Sequence, residues 1–232
     1  CIRDSCDGQI TVEGVTLKCT AAEEEGHGEL DMNQAMACSC NCYFAQLGQL
    51  AGCGEIVKTA AKLGLGSQVL KDYPQEASGN IPDEDEVGPW DTTNISIGQG
   101  AILTTPLQIA RMTAIVACGG RDVEPVLETG QAGSPGRRII SEETAEKLDS
   151  MMQDVMTSGT GAGSWQVPVR GKTGTAEAVF EGRDVKNCWF TGYFDVGGET
   201  YVVTVVAERG DSGSITALPV FKAVVDFLSK NP

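Results

Sequence analysis

The hydrophobic pattern changes from a helical to an alternating period at Val167, and this change most constrains the fold. Three alternating segments follow: "VPVRGKTGTAEAVF", "NCWFTGYF" and "TYVVTVVAE", the last two joined by the turn sequence "DVGGE". Alternation of this kind predicts strands that bury one face, and short turns make neighbouring strands antiparallel. The last segment, "LPVFKAVVDFLSK", returns to a helical period. The end of the chain is therefore predicted to be an antiparallel meander with a helix behind it.

Helices and their caps dominate the chain before Val167. Asp31 with Gln34, and Thr105-Pro106 with Gln108, have the spacing of helix capping boxes, and Ser141 precedes a third helical pattern. An alternating stretch between Cys6 and Cys19 predicts a hairpin, and residues 66–100 are predicted to be irregular. Helices packed on an antiparallel sheet make an α+β fold, and we expect a single domain over residues 1–232.

Composition limits the classes of function. The chain has 232 residues, with 17 basic against 32 acidic side chains and a net charge of −15, which argues against nucleic acid as a partner. Its longest apolar runs fall short of the ~20 residues that span a bilayer. The sequence begins at Cys1 rather than at a methionine, so we expect a processed or excised piece that has lost any targeting segment.

Nine cysteines allow two kinds of cross-link. Cys6 and Cys19 could form a disulfide across the predicted hairpin, and the spacing leaves this alternative open. The stretch "ACSCNCYF", residues 37–44, could supply thiolates to zinc, with Cys53 or His27 as a further ligand. Structural zinc sites usually draw on two separated pairs of ligands, and no second Cys-x-x-Cys pair is present. The expectation is therefore that the chain binds no metal and no cofactor.

Two short polar motifs carry the functional signal. In the first, Ser39 and Asn41 stand where one helical pattern breaks and the next begins. In the second, Lys172-Thr173-Gly174-Thr175 lies on the first predicted strand of the meander. The lysine supplies a cation, the threonines supply hydroxyls, and Gly174 allows another backbone to approach closely. Ser-x-Asn followed by Lys-Thr-Gly is two-thirds of the motif set of active-serine acyltransferases.

At these motifs the chain resembles the transpeptidase domain of a class B penicillin-binding protein. "WDTTNISIGQGAILTTPLQIARMTAIVACGG" is very similar to that family's segment between the two motifs, and "GKTGTAEA" with "CWFTGYF" resembles its active-site strand and neighbour. The resemblance implies cross-linking of D-Ala-D-Ala stem peptides of peptidoglycan through an acyl-serine, and acylation by β-lactams. It also implies roles for the residues of both motifs. Ser39 would act as a proton shuttle supported by Lys172, and Asn41 would contact the substrate amide. Thr173 and Thr175 would bind the substrate carboxylate, and the Thr175 N–H would form half of an oxyanion hole.

The chain departs from the family in one respect. The family's nucleophile lies in a Ser-x-x-Lys motif, and no serine here stands three residues before a lysine. We therefore expect the nucleophile helix and the first strands to come from an upstream segment or a complementary chain, without which the fold is incomplete at its N-terminus. The resemblance further implies an extracytoplasmic protein tethered to the membrane through that absent region.

Three other functions fit part of the pattern. "GDSG", residues 210–213, matches a motif of trypsin-like serine proteases. The trypsin fold consists of two β-barrels, however, and this chain is rich in predicted helices. A catalytically inactive module that binds penicillin or stem peptide is the stronger alternative, because the nucleophile is missing. A serine β-lactamase shares the motifs, although "SIGQG" followed by "TPLQ" resembles a transpeptidase.

Overall fold

The fold is known from a computed structural model that describes residues 4–70, 73–128 and 136–231. Its strands and helices are β1 Asp4–Cys6, β2 Gln9–Val12, β3 Val15–Lys18, β4 Gly28–Leu30, α1 Met32–Cys38, α2 Asn41–Ala51, α3 Cys53–Lys62, α4 Pro89–Ser96, α5 Pro106–Ala117, α6 Glu142–Thr157, β5 Val169–Phe180, β6 Arg183–Val196, β7 Glu199–Ala207 and α7 Leu218–Lys230. Helices and antiparallel sheets occupy separate stretches of the chain, so the predicted α+β class is confirmed.

The largest sheet is an antiparallel meander in the order β5-β6-β7. Two-residue turns at Glu181-Gly182 and Gly197-Gly198 join its strands, and φ is positive at all four positions, as tight hairpin turns require. Lys172 on β5 lies opposite Thr191 on β6. Among the described residues β7 pairs only with β6, so its other edge is open.

Helices cover both faces of this sheet. Phe190 on β6 is fully buried, and its ring centroid lies 4.4 Å from that of Phe221 on α7. The neighbouring residue, Thr191, points to the opposite face because side chains alternate along a strand, and its hydroxyl lies 2.7 Å from that of Thr113 on α5. Helix α7 therefore packs on one face and α5 on the other, while α6 adds Val155 and Met156 to the α7 side of the core.

Residues 4–40 form a second, smaller layer. Strands β2 and β3 make the predicted hairpin, which turns at Glu13-Gly14, and β1 pairs with β4. Asp31 and Gln34 form the predicted capping box at the start of α1, with both hydrogen bonds 2.9 Å long. A hydrophobic cluster under this layer consists largely of cysteines; its buried members are Cys6, Cys19, Leu30, Ala35, Cys40, Cys42 and Tyr43.

The prediction of irregular structure over residues 66–100 is wrong at its end, where α4 forms. This helix is rich in threonine and asparagine, which are poor helix formers, so its propensity is low. Tertiary contacts stabilise it instead: Thr92 and Thr93 are buried, and Gln49 of α2 donates hydrogen bonds to Thr93 Oγ1 and Pro89 O. None of the helices in the described ranges combines the length and hydrophobicity needed to cross a bilayer.

Candidate active site

Ser39 ends α1 in a left-handed backbone conformation, with φ 58°. Few residues other than glycine adopt this conformation, and where they do the strain is often at a functional site. Helix α2 begins directly afterwards, capped by Cys40, whose Sγ accepts a hydrogen bond from Tyr43 N. Two helix ends thus meet at Ser39, and the break predicted between residues 39 and 41 is confirmed.

Lys172 on β5 reaches Ser39 across the sheet edge. Its Nζ donates hydrogen bonds to Ser39 Oγ and to Thr173 O, each 2.9 Å long. Burial lowers the pKa of Lys172 to about 8, because removal from water disfavours the charged ammonium. A lysine with this pKa remains mostly protonated at neutral pH and can exchange its proton readily.

The two threonines of the second motif are held by other hydroxyl and amide groups. The hydroxyl of Thr173 lies 2.7 Å from that of Thr160, in the loop after α6. Thr175 Oγ1 accepts a hydrogen bond of 3.0 Å from Gly213 N. Because that bond uses a lone pair of the hydroxyl oxygen, the Thr175 O–H remains available to donate to a ligand.

A close backbone approach does occur at Gly174, and Gly213 makes it. A Cβ atom on Gly213 would lie 2.4 Å from Gly174 O and 2.5 Å from Trp189 O, so only glycine fits there. Gly213 also begins the π-helix Gly213–Ala217, and π-turns are frequent at functional sites. The "GDSG" segment therefore supports the Lys-Thr-Gly strand.

Asn41 is placed differently from the other motif residues. Its Nδ2 donates to Lys18 O at the end of β3, at 3.2 Å, which ties the hairpin to the start of α2. The structure thus brings together Ser39, Lys172 and Thr173, with Gly174 and Thr175 following on the same strand. It gives Asn41 a contact with the hairpin rather than with Lys172.

Sequence reasoning missed three supporting residues. Thr160 and Gly213 contact the threonines of β5, and Gln99 bonds to the backbone of the same strand. Gly213 lies within the "GDSG" motif, but its contact depends on tertiary packing. For Thr160, no local pattern distinguishes it from an ordinary loop residue.

A second constellation lies beside the first. Cys6, Cys19, His27 and Cys40 bring their ligand atoms within 4.8 Å of one another. Cys19 Sγ lies 3.7 Å from Cys40 Sγ, and His27 Nδ1 lies 3.3 Å from Cys19 Sγ and 3.6 Å from Cys6 Sγ. The three cysteines are buried. They come from separate segments, at the end of β1, after β3 and between α1 and α2.

The three pair distances, from 3.3 to 3.7 Å, fit ligands of one tetrahedral metal ion. Zinc bound at about 2.0–2.3 Å separates neighbouring ligand atoms by roughly 3.3–3.8 Å, and Cys₃His is a common structural ligand set. The hydrogen bond with Cys40 lowers the pKa of Cys19 to about 3 and raises the pKa of Cys40. The cluster therefore already favours one thiolate, the form in which cysteine binds metal.

The structure bears on both cysteine predictions. Cys6 and Cys19 are both free thiols, so the disulfide that the hairpin allowed is absent from the structure. The expectation of no metal stays a prediction; it rested on the missing second Cys-x-x-Cys pair, and the folded chain brings single cysteines and a histidine together from distant segments. Of the candidates named from "ACSCNCYF" and its surroundings, only Cys40 and His27 belong to the set; Cys38, Cys42 and Cys53 do not.

Comparisons with known proteins agree with the motifs. A family model described as the penicillin binding protein transpeptidase domain matches residues 7–226. Peptidoglycan D,D-transpeptidase MrdA of Acinetobacter baumannii is 30% identical over 262 residues, which cover 97% of this chain and 39% of that protein. Stage V sporulation protein D of Bacillus subtilis is 28% identical, over 90% of this chain and 34% of its own length. The chain spans well under half of either relative.

Solved structures show the same fold. Penicillin-binding protein PBP2 from Helicobacter pylori has a TM-score of 0.88 and 23% identity, covering 99% of this chain and 45% of that one. The transpeptidase domain of penicillin-binding protein 3 from Burkholderia pseudomallei has a TM-score of 0.82 and 21% identity, covering 95% and 69%. With a family match over nearly its whole length, the chain belongs to the penicillin-binding protein transpeptidase domain family.

Proposed function

We propose that this chain forms most of the catalytic domain of a peptidoglycan D,D-transpeptidase. The contact of Lys172 Nζ with Ser39 Oγ carries the proposal, because it joins the two motifs across 133 residues of sequence. Family membership and a D,D-transpeptidase relative at 30% identity support it. The substrates are D-Ala-D-Ala stem peptides, and β-lactams are the corresponding covalent inhibitors.

In the proposed reaction a serine hydroxyl attacks the carbonyl carbon of the penultimate D-Ala. The new C–O bond forms, the C–N bond to the terminal D-Ala breaks, and the serine proton ends on the leaving amine. In this proposal Ser39 relays that proton from the attacking serine to the leaving amine. Lys172 polarises the Ser39 hydroxyl and restores its proton. Thr173 and Thr175 offer hydroxyls to the terminal carboxylate, and the Thr175 N–H stabilises the developing oxyanion.

The attacking serine is not supplied by a Ser-x-x-Lys motif within these 232 residues. We propose that a segment outside the sequence, or a second chain, supplies it and packs beside Ser39 and Lys172. The full-length protein would then act outside the cytoplasmic membrane, tethered through residues outside this sequence. A module that binds stem peptide without turning it over is the alternative outcome of the test below.

We also propose that Cys6, Cys19, His27 and Cys40 hold a structural zinc ion. Support comes from the ligand distances, the burial of the thiols and the lowered pKa of Cys19. Cys40 stands between Ser39 and Asn41, so a metal there would fix the turn that presents Ser39. In this arrangement the metal takes no part in acyl transfer.

A labelled penicillin tests the proposed function. The full-length gene product, incubated with a fluorescent penicillin, should gain one acyl group, seen as a mass shift equal to the intact antibiotic. The 232-residue chain alone should gain none, because its nucleophile is missing. Binding without a mass shift in the full-length product would favour the inactive module, and rapid loss of the adduct with turnover would favour a β-lactamase.

A further inference from the structure

The outer edge of β5 is closed by side chains. The N–H and C=O of one residue point to the same edge of a strand, and successive residues point to opposite edges. Thr173, Thr175 and Glu177 therefore present their backbone groups on the edge away from β6. Lys172 Nζ donates a hydrogen bond to Thr173 O, and the side-chain amide of Gln99 bonds to Thr175 O and Glu177 N.

Gln99 bonds to this edge through both ends of its amide. Its Nε2 donates to Thr175 O at 3.2 Å, and its Oε1 accepts from Glu177 N at 3.2 Å. One donor and one acceptor on successive outward residues is the pattern that a neighbouring strand would offer. The amide thus takes the place of a strand at the position next to Lys172.

The backbone on either side of Gln99 orients its side-chain amide toward β5. Gln99 follows α4, and its N–H bonds to Asn94 O at 2.9 Å. Gly98 and Gly100, on either side, have φ of 79° and 89°. Residues with side chains rarely adopt such values, so the two glycines make the turn that points Gln99 at β5.

An extended peptide binds a sheet edge by the same backbone groups. Such a ligand donates its N–H to an edge C=O and accepts from an edge N–H. An acyl donor whose reactive carbonyl lies near Ser39 and the Thr175 N–H places its next amide N–H along this edge, at Thr175 O. Gln99 already makes the strand-type hydrogen bond to Thr175 O, so the ligand amide competes with it for that position.

We propose that Gln99 is a displaceable cap on the edge of β5 and thereby a specificity-determining residue. This inference rests on the proposed transpeptidase function. Acyl donors that carry an amide N–H beside the reactive carbonyl replace the Gln99 amide and recover its hydrogen bond, whereas donors without one leave the cap in place. Gln99 is half-buried and both of its bonds are solvent-accessible, so rotation of its flexible side chain releases them without moving the strand.

The test compares two β-lactams on the full-length protein. Benzylpenicillin carries a side-chain amide, and penicillanic acid carries no nitrogen at that carbon. Gln99→Met keeps the length of the side chain but removes both hydrogen bonds. We expect the ratio of the acylation rate constants, benzylpenicillin over penicillanic acid, to rise about three- to tenfold, the range for losing one competing neutral hydrogen bond. Gln153→Met, on the exposed side of α6, is the matched control and should leave the ratio unchanged.

The outcomes separate the inference from the function it rests on. An unchanged or lower ratio in Gln99→Met, with the unaltered protein acylated normally, overturns the role of Gln99 and leaves the function standing. Equal slowing with both β-lactams assigns Gln99 a purely structural role and also overturns the inference. Failure of the unaltered protein to be acylated by either compound overturns the proposed function, and the inference with it.

Discussion

Lys172 Nζ lies 2.9 Å from Ser39 Oγ, and this hydrogen bond connects the end of α1 to the sheet. Placing an ammonium group in a mostly buried position disfavours its charged form, as the lowered pKa of Lys172 shows. A residue retained at such a cost to stability is more readily explained by chemistry than by packing.

Replacing Lys172 should stop acylation in the full-length protein. Lys172→Met removes the ammonium donor but keeps most of the apolar side chain, so we expect the acylation rate constant for benzylpenicillin to fall about 100- to 1,000-fold. Lys186→Met, an exposed position on β6, is the control. Labelling of Lys172→Met at the rate of the unaltered protein would remove Lys172 from the mechanism.

The pH dependence of the acylation rate constant should reflect the titration of Lys172. Lys172 has a pKa of about 8, and its charged form both donates to Ser39 Oγ and attracts a carboxylate. The acylation rate constant should therefore be constant below about pH 7 and fall as the pH rises through about 8, approaching tenfold per unit above it. Stopped-flow measurements from pH 6 to 10 check this profile. A rate that increases through pH 8 would instead indicate that the neutral amine acts as the base.

The hydroxyl of Thr175 can be tested by a matched pair of substitutions. Thr175→Val keeps the shape of the side chain but removes the hydroxyl, and it leaves Gly213 N–H without its acceptor. We expect acylation to fall about 100-fold and the free energy of unfolding to fall by about 1–3 kcal/mol. Thr175→Ser retains the hydroxyl, so it should recover most of both quantities. Equal rates for the valine and serine variants would contradict the role of the hydroxyl.

The proposed zinc ion should be measurable directly. Elemental analysis of protein purified without chelators should find about one zinc per chain, and Cys19→Ser or Cys40→Ser should remove most of it and lower the melting temperature. Cys118→Ser, at an exposed site after α5, should change neither. Protein without zinc that unfolds at the same temperature with and without added Zn²⁺ would refute the site.

The open edge of β7 predicts how the isolated chain behaves. Within the described ranges β7 pairs only with β6, and it carries the apolar run "YVVTVV". An unpaired apolar edge is a template for association between chains. The 232-residue chain alone should therefore elute as oligomers or aggregates in size-exclusion chromatography with light scattering. A monodisperse monomer with cooperative unfolding would show that the edge needs no further strand.

Local signals predicted much of this fold. The capping boxes at Asp31 and Thr105 place helix starts because they depend on residues three positions apart. Alternation after Val167 identified the meander for a similar reason. Helix α4 was missed because burial of Thr92 and Thr93 against α2, rather than propensity, stabilises it.

The site was predictable only as far as its motifs are contiguous. Ser39 and the strand from Lys172 to Thr175 were identified, and the structure supplies their contact. Cys6 and Cys19 were not predicted as possible metal ligands, since each is a single residue in its own segment and the fold alone brings them beside His27 and Cys40. The contact of Gln99 was not predicted either, because its amide is recognisable as a cap on the strand edge only when the position of β5 is known.

The left-handed backbone at Ser39 restricts which mutations an evolving population can use there. Of the residues that adopt this conformation easily, glycine carries no hydroxyl, and asparagine and aspartate place a different polar group at a different reach. Alanine and threonine would keep the strain, and threonine would add a β-branch to a position that disfavours it. Under the proposed function, substitutions that escape a β-lactam should therefore be rarer at Ser39 than at site residues with ordinary backbone angles.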